Sequence, residues 1–325
     1  MNTSDKIKSL KKYLKSTGPE SCKIFLANPT EEDLTSSIFL QLASDVEKAL
    51  GNHQQALFYA QCLRKQHPGK PAGFAKLADA FLSLELTNQA SETIEQGLNE
   101  HPESPLILQT AIQVARAQGD LRKSAEHGLC LIKSDPNKII GFQCAAKDLL
   151  KLQNFSECLN TIKNGLFKNP GNLSLLQLGV EAARAANNVN QIVDFSQQLI
   201  KHHPKNLSGF TCLAQAFLQT NKIKQALSTI DEGLGKHPEN HLLLQLGIEA
   251  SRLSSEFGRS FNFSRRYIAL EPDDPTGYRT AARNLIDLER YVEAQSFINE
   301  GLEKQPKNIQ LLQLGIEASR LSNDF

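Results

Sequence analysis

The chain has no tryptophan, one methionine and few aromatic residues, 6% of 325. A core built from it rests on Leu, Ile and Ala rather than on large rings. An excess of charge of one sign is also missing. Thirty-six Lys and Arg against 35 Asp and Glu leave a net charge of +1, which excludes the broad basic face of a general nucleic-acid binder. The six cysteines (Cys22, Cys62, Cys130, Cys144, Cys158, Cys212) include no C-x-x-C pair and no metal-ligand spacing. They read as small buried apolar residues in a reducing compartment, the cytoplasm by default, and no metal or cofactor is expected. Residues 1–20 hold no long apolar run, so no signal peptide or transmembrane segment is read. G-x-S-x-G, P-loop, H-E-x-x-H and Gly-rich dinucleotide signatures are absent, and no enzyme is expected within these residues.

What the sequence does have is periodicity. Pro68, Pro102, Pro136, Pro170, Pro204, Pro238, Pro272 and Pro306 stand 34 residues apart. A second period of 68 underlies it, marked by Gly73, Gly141, Gly209 and Gly277. After each of these comes an aromatic (Phe74, Phe142, Phe210, Tyr278), then a small residue (Ala78, Ala146, Ala214, Ala282) and a large apolar one (Phe81, Leu149, Phe217, Leu285). Steps of four and three keep that stripe on one helical face. A second helix follows, carrying Ala90, Cys158, Ala226 or Ala294, then Ile94, Ile162, Ile230 or Ile298, and closing on Gly-Leu before the grid proline. The intervening repeats place Leu108, Leu176, Leu244 and Leu312 in the aromatic slot and Ser124, Ile192 or Ser260 in the alanine slot. Their apolar period survives, so the same architecture is expected of them.

Local chemistry marks the boundaries. Proline disfavours helix for the residue before it, which stops each second helix. Asn172, Asn206, Asn240 and Asn308 are placed to cap the next one. His67, His101, His203 and His237 precede grid prolines and read as helix terminators rather than as a metal or proton site. Mid-helix glycines call for close crossings, and Gly165 is expected to face Gly179.

These features resemble the tetratricopeptide repeat (TPR) family: the aromatic and small residue of the first helix, the alanine of the second and the closing proline. The resemblance covers about nine-tenths of the chain. It implies an all-α fold, a right-handed superhelical α-solenoid of stacked helix–turn–helix repeats. The expected organisation is a degenerate repeat or cap at 1–34, eight tandem repeats at 35–308 and a terminal helix at 309–325.

The two ends depart from the lattice. The helix around Ser4–Lys15 sets Lys6, Lys8, Lys11, Lys12 and Lys15 beside Ile7, Leu10 and Leu14. It reads as a solubilising cap in preference to a membrane-surface helix. At the other end Leu311–Leu321 repeats Leu243–Leu253 letter for letter, and Phe325 lies 68 residues after Phe257. A terminal helix with an interior sequence either caps the array despite it or points to self-association, a docked partner or a further domain, the latter group being preferred.

In TPR proteins the first helices line the concave side, which implies a groove for an extended peptide or a partner helix. Three polar ladders fall on these helices at offsets of four and three. They are Gln109, Gln177, Gln245 and Gln313, then Gln113, Glu181, Glu249 and Glu317, then Arg116, Arg184, Arg252 and Arg320. Read functionally, glutamines grip a peptide backbone and arginines its carboxylates. Read structurally, the same residues form a solvated face copied with every duplication. Lys147, Gln215 and Arg283 belong to the more variable set of the alternate repeats, where selectivity would sit. The Lys–Asn–Asn–Lys–Arg arrangement of chaperone-tail binders is not found. The expected function is a non-catalytic protein–protein interaction scaffold with a protein or peptide partner. The alternative is the TPR arm of a larger glycosyltransferase- or sulfotransferase-like enzyme. Against a close O-GlcNAc transferase likeness, that family lines its groove with asparagine where glutamine stands here.

Overall fold

The computed structural model describes residues 2–322, and Phe325 lies outside them. The chain divides into two compact units, Met1–Pro170 and Gly171–Phe325. All regular structure among the described residues is helical.

In the first unit, α1 (Thr3–Ser16) is followed by a 3-10 turn (Pro19–Cys22) and the short α2 (Lys23–Leu26) and α3 (Glu31–Thr35). Four helix pairs come next: α4 (Ser37–Ala49) with α5 (His53–Gln66), α6 (Pro71–Ser83) with α7 (Thr87–Glu100), α8 (Pro105–Ala117) with α9 (Leu121–Ser134), and α10 (Ile139–Lys151) with α11 (Phe155–Lys168). The second unit has four more pairs and a last helix. They are α12 (Leu173–Ala185) with α13 (Val189–His202), α14 (Leu207–Gln219) with α15 (Ile223–Lys236), α16 (His241–Leu253) with α17 (Phe257–Leu270), α18 (Pro275–Asp287) with α19 (Tyr291–Lys304), and α20 (Ile309–Leu321). The alternate repeats that lack the aromatic form helices of the same length as those that have it, so one architecture runs throughout.

Each second helix ends two residues before its grid proline, as the restriction on pre-proline residues requires. Asn172, Asn206, Asn240 and Asn308 accept from the backbone N–H of Leu175, Gly209, Leu243 and Leu311. The histidines are the C-cap residues, and two of them tie back to the preceding turn. His67 Nε2 lies 2.9 Å from the Thr35 carbonyl and His203 Nε2 2.7 Å from that of Gly171. The two helices of a pair are joined through a residue in the left-handed region, at Gly51, Glu85, Gly119, Gln153, Asn187, Asn221, Ser255 and Glu289. That geometry lets the chain reverse while Leu86 N–H still reaches the Phe81 carbonyl. Only two of the eight positions are glycine.

The core lies between the helices of each pair and between neighbouring pairs within a unit. Ala78, Ala146, Ala214 and Ala282 are buried there with Ile94, Ile162, Ile230 and Ile298. A Cβ on Gly179 would stand 2.8 Å from the Phe195 ring. The notch admits a side chain rather than a second backbone. Backbones do approach at Gly128, where an added Cβ would lie 3.0 Å from Ala145 N. Cys22, Cys158 and Cys212 are buried and Cys62 and Cys144 half-buried, whereas Cys130 is exposed on α9.

The N-terminal segment covers the first pair. Leu10, Cys22 and Leu26 join Phe39, Leu40, Val46 and Tyr59 in one core, with Ile7 and Leu14 packed against it. Lys6 departs from the row of exposed lysines expected of α1. It is buried, 2.5 Å from Asp33 Oδ2, and also donates to the Asn28 carbonyl. Asp33 accepts further from the Thr3 hydroxyl and the Thr30 N–H. Burial alone would raise its pKa, but these donors outweigh it and hold the carboxyl at about 2.

Candidate functional site

The arginine ladder sits in the last turn of α8, α12, α16 and α20, where a cation also suits the helix dipole. From there Arg116, Arg184 and Arg252 reach the first helix of the following pair. Arg116 does so fully. Its Nε and Nη2 donate to both oxygens of Asp148 at 2.9–3.0 Å, and Nη2 donates to the Cys144 carbonyl at 3.2 Å. Asp148 is buried and takes a third donor, Ser124 Oγ at 2.5 Å. Burial alone would lower the Arg116 pKa, but the Asp148 carboxylate reverses this and keeps the guanidinium charged. Arg116 is a brace between repeats, not a free hand.

Arg252 has the same role with altered partners. Nη1 donates to Asn284 Oδ1 at 2.7 Å and Asp287 Oδ2 at 2.9 Å, while Asn284 Nδ2 donates to Ser260 Oγ at 2.8 Å. Position for position, Ser124 and Asp148 become Ser260 and Asn284 two double-repeats on.

The copy between them lacks both partners. Ile192 stands in the serine slot and Ala216 in the acid slot. Arg184 is exposed, and its Nη1 meets Cys212 Sγ at 3.9 Å. It opens on a cleft of about 390 Å³ lined by Asn187, Gln215 and Gln219 as well as Val189, Ile192, Cys212 and Ala216. Three amide side chains share the cleft with the guanidinium, and Arg184 makes no ion pair among the described residues.

A second cleft, of about 400 Å³, brings Arg252, Arg279, Arg283, Gln313 and Glu317 together with Thr280, Gln310 and Leu314. Arg283 is committed there, its Nη1 2.7 and 2.9 Å from the two Glu317 oxygens. The other expected site residues are not gathered. Gln245 donates to the Tyr267 hydroxyl at 2.9 Å, and that hydroxyl donates to Asp274 at 2.6 Å. Gln109 is half-buried, whereas Gln113, Lys147, Gln177, Glu181 and Glu249 are exposed. Arg320 is exposed beside Leu312 and Ile316 on the outer side of α20.

Sequence reasoning missed Asp148 and Asn284 as the arginines' partners, and Asn187 and Gln219 as walls of the cleft. A signal existed: Asp148 and Asn284 are each 32 residues beyond their arginine, and Arg184 finds alanine at that distance.

No protein-family model matches the sequence. Solved structures do. The C-terminal part of a TPR repeat-containing protein from Cytophaga hutchinsonii superposes with a TM-score of 0.54 at 12% identity, covering 83% of this chain and 97% of that one. This is the tetratricopeptide-repeat fold. Two further likenesses are weaker. YrrB, a TPR protein with an unusual peptide-binding site, gives a TM-score of 0.48 at 13% identity over 58% of this chain and 97% of its own. A TPR protein from Parabacteroides merdae gives 0.45 at 13% identity, over 77% and 98%. No helix among the described residues is long and apolar enough to cross a membrane.

Proposed function

We propose that the chain is a non-catalytic interaction scaffold, holding a peptide or helix of a partner protein against the first helices of its repeats. The observation that carries this reading is Arg184. Arg116 and Arg252 are paired with partners from the next repeat, whereas Arg184 faces a cleft that three amide side chains help to line. A guanidinium with no ion-pair partner among the described residues, beside amide groups, suits a peptide: the cation for an acidic side chain, the amides for backbone N–H and C=O. Such groups hold a ligand rather than break its bonds. The ladder then divides into two roles, with Arg116 and Arg252 joining repeats and Arg184 left for the partner. Gln215 and Gln313 line the two clefts and supply amides. A reducing compartment, the cytoplasm, suits cysteines that stand singly.

The test is selection of a displayed library of random twelve-residue peptides on the full chain. Enrichment of peptides sharing an Asp or Glu, lost on the Arg184→Ala chain, is the expected result. Enrichment indifferent to Arg184 would remove the cleft from the account.

A further inference from the structure

The four matching first helices α6, α10, α14 and α18 differ at two positions one turn apart. They read Ala75 and Asp79, Gln143 and Lys147, Thr211 and Gln215, and in the last copy Arg279 and Arg283. Residues four apart lie on one helix face, so α18 presents two cations together. Both line the cleft of about 400 Å³ that Arg252 enters from α16. Three guanidinium groups thus share one cleft, and all three come from helices packed between earlier and later ones.

The acids nearby do not use these groups up. Asp287 is shared, 2.9 Å from Arg252 Nη1 and 3.6 Å from Arg283 Nε. Glu317 takes only Arg283 Nη1, at 2.7 and 2.9 Å. Arg279 makes no ion pair among the described residues. Asp274, whose charge Arg279 feels, is held instead by the Tyr267 hydroxyl at 2.6 Å and the Thr276 N–H at 2.9 Å. Hydrogen bonds among the described residues leave Nε and Nη2 of Arg252, Nη2 of Arg283 and the whole Arg279 fork unused. A carboxylate spreads one charge over two oxygens, and a single guanidinium satisfies it. A phosphate monoester carries about −1.5 to −2 charge on three oxygens at neutral pH, which suits several forks at once.

We propose that this cleft takes a phosphorylated side chain of a partner peptide. Arg279 is the principal contact, and Arg252 and Arg283 donate their remaining N–H groups while keeping Asp287 and Glu317. Gln310 and Gln313, which line the same cleft, supply amides to the peptide backbone. A long polyanion such as RNA suits the molecule less, because these cations are gathered in one cleft of a chain whose net charge is +1. The proposal rests on the scaffold reading but not on its site, since this cleft and that of Arg184 share no lining residue.

The probes are three immobilised peptide pools, degenerate around a fixed central residue that is phosphoserine, serine or glutamate. Retention of the full chain on the phosphoserine pool should exceed that on either other pool at least tenfold. It should fall to the serine level for Arg279→Ala and stay unchanged for Arg184→Ala. The Arg279→Ala chain should melt with the parent, having no ion pair to lose, which separates a lost contact from a damaged fold. Equal retention on the glutamate pool, or retention indifferent to Arg279, would overturn the proposal. So would inorganic phosphate binding as tightly as a phosphoserine peptide, which would assign the cleft to the free ion. A fluorescent uridine twelve-mer bound more tightly than the peptides, and released by Arg279→Ala, would assign it to RNA and overturn it too. Capture of acidic peptides through Arg184 with no phosphoserine preference would sink this proposal and leave the scaffold reading standing.

Discussion

Arg184 Nη1 ends 3.9 Å from Cys212 Sγ, in the place where its repeat-mate Arg116 meets the Asp148 carboxylate at 2.9 Å. The same residue type at the same helical position is a brace in one copy and an open cation in the next. Removing each should therefore have different consequences. Arg116→Ala leaves Asp148 buried with an uncompensated charge and should cost about 3 kcal/mol. Arg184→Ala should stay within about 0.5 kcal/mol of the parent. Urea denaturation of the two variants makes the comparison.

Restoring the missing partners should close the cleft. Ile192→Ser with Ala216→Asp rebuilds the Ser124–Asp148 arrangement around Arg184. The double variant should be more stable than Ala216→Asp alone by about 1 kcal/mol, because the serine hydroxyl satisfies the new carboxylate. Thermal melts of the two proteins test this, and a crystal structure of the double variant should show Arg184 paired.

The reversals inside each pair give a prediction on backbone conformation. Glu85, Gln153 and Glu289 hold φ between 59° and 62°, which side chains with a Cβ adopt at a cost of about 1–2 kcal/mol. Glycine pays part of that back in unfolded-chain entropy, so Gln153→Gly should stabilise by about 0.5 kcal/mol. Gly119→Ala should destabilise by about 1 kcal/mol. Denaturation midpoints decide both signs.

Two glycines on α15 separate packing from helix propensity. A Cβ on Gly233 would lie 2.9 Å from Leu243 Cδ1 and 3.1 Å from Phe210 Cβ, whereas Gly235 has nothing within 4 Å. Gly235→Ala should stabilise by up to about 1 kcal/mol. Gly233→Leu should destabilise by about 2 kcal/mol or more, as overpacked sites do.

Acid should loosen the N-terminal segment first. Asp33 is ionised in the folded chain down to about pH 2 but protonates near 3.8 once unfolded. Its contribution, about 2 kcal/mol, is therefore complete above that value and lost as pH falls to 2. Hydrogen exchange over residues 3–16 should accelerate across that window, and Lys6→Met should bring the acceleration to pH 7.

What was legible in the sequence was whatever repeats locally. Pro68 and its series, the capping Asn240 and the buried Ile230 follow from rules that act within a few residues, copied many times. The arginines' partners were not legible by the same route. Asp148 lies one repeat beyond Arg116, so the pair exists only once the helices stack. Lys6 misled for the same reason: its neighbours on α1 are solvated lysines, and only the return of the chain through Asp33 buries it. Glu85 gave no sign because its backbone angle is imposed by the reversal and not by its own preference, though Gly51 and Gly119 in the same slot marked the place.

The division of labour among the arginines is tested most directly by the affinity of one display-selected acidic peptide for three chains. These are the parent, Arg184→Ala, and the Ile192→Ser, Ala216→Asp double variant. Titration calorimetry should show binding at least tenfold weaker for both variants, with melting temperature unchanged in Arg184→Ala. Equal affinity for all three would show that Arg184 holds no partner.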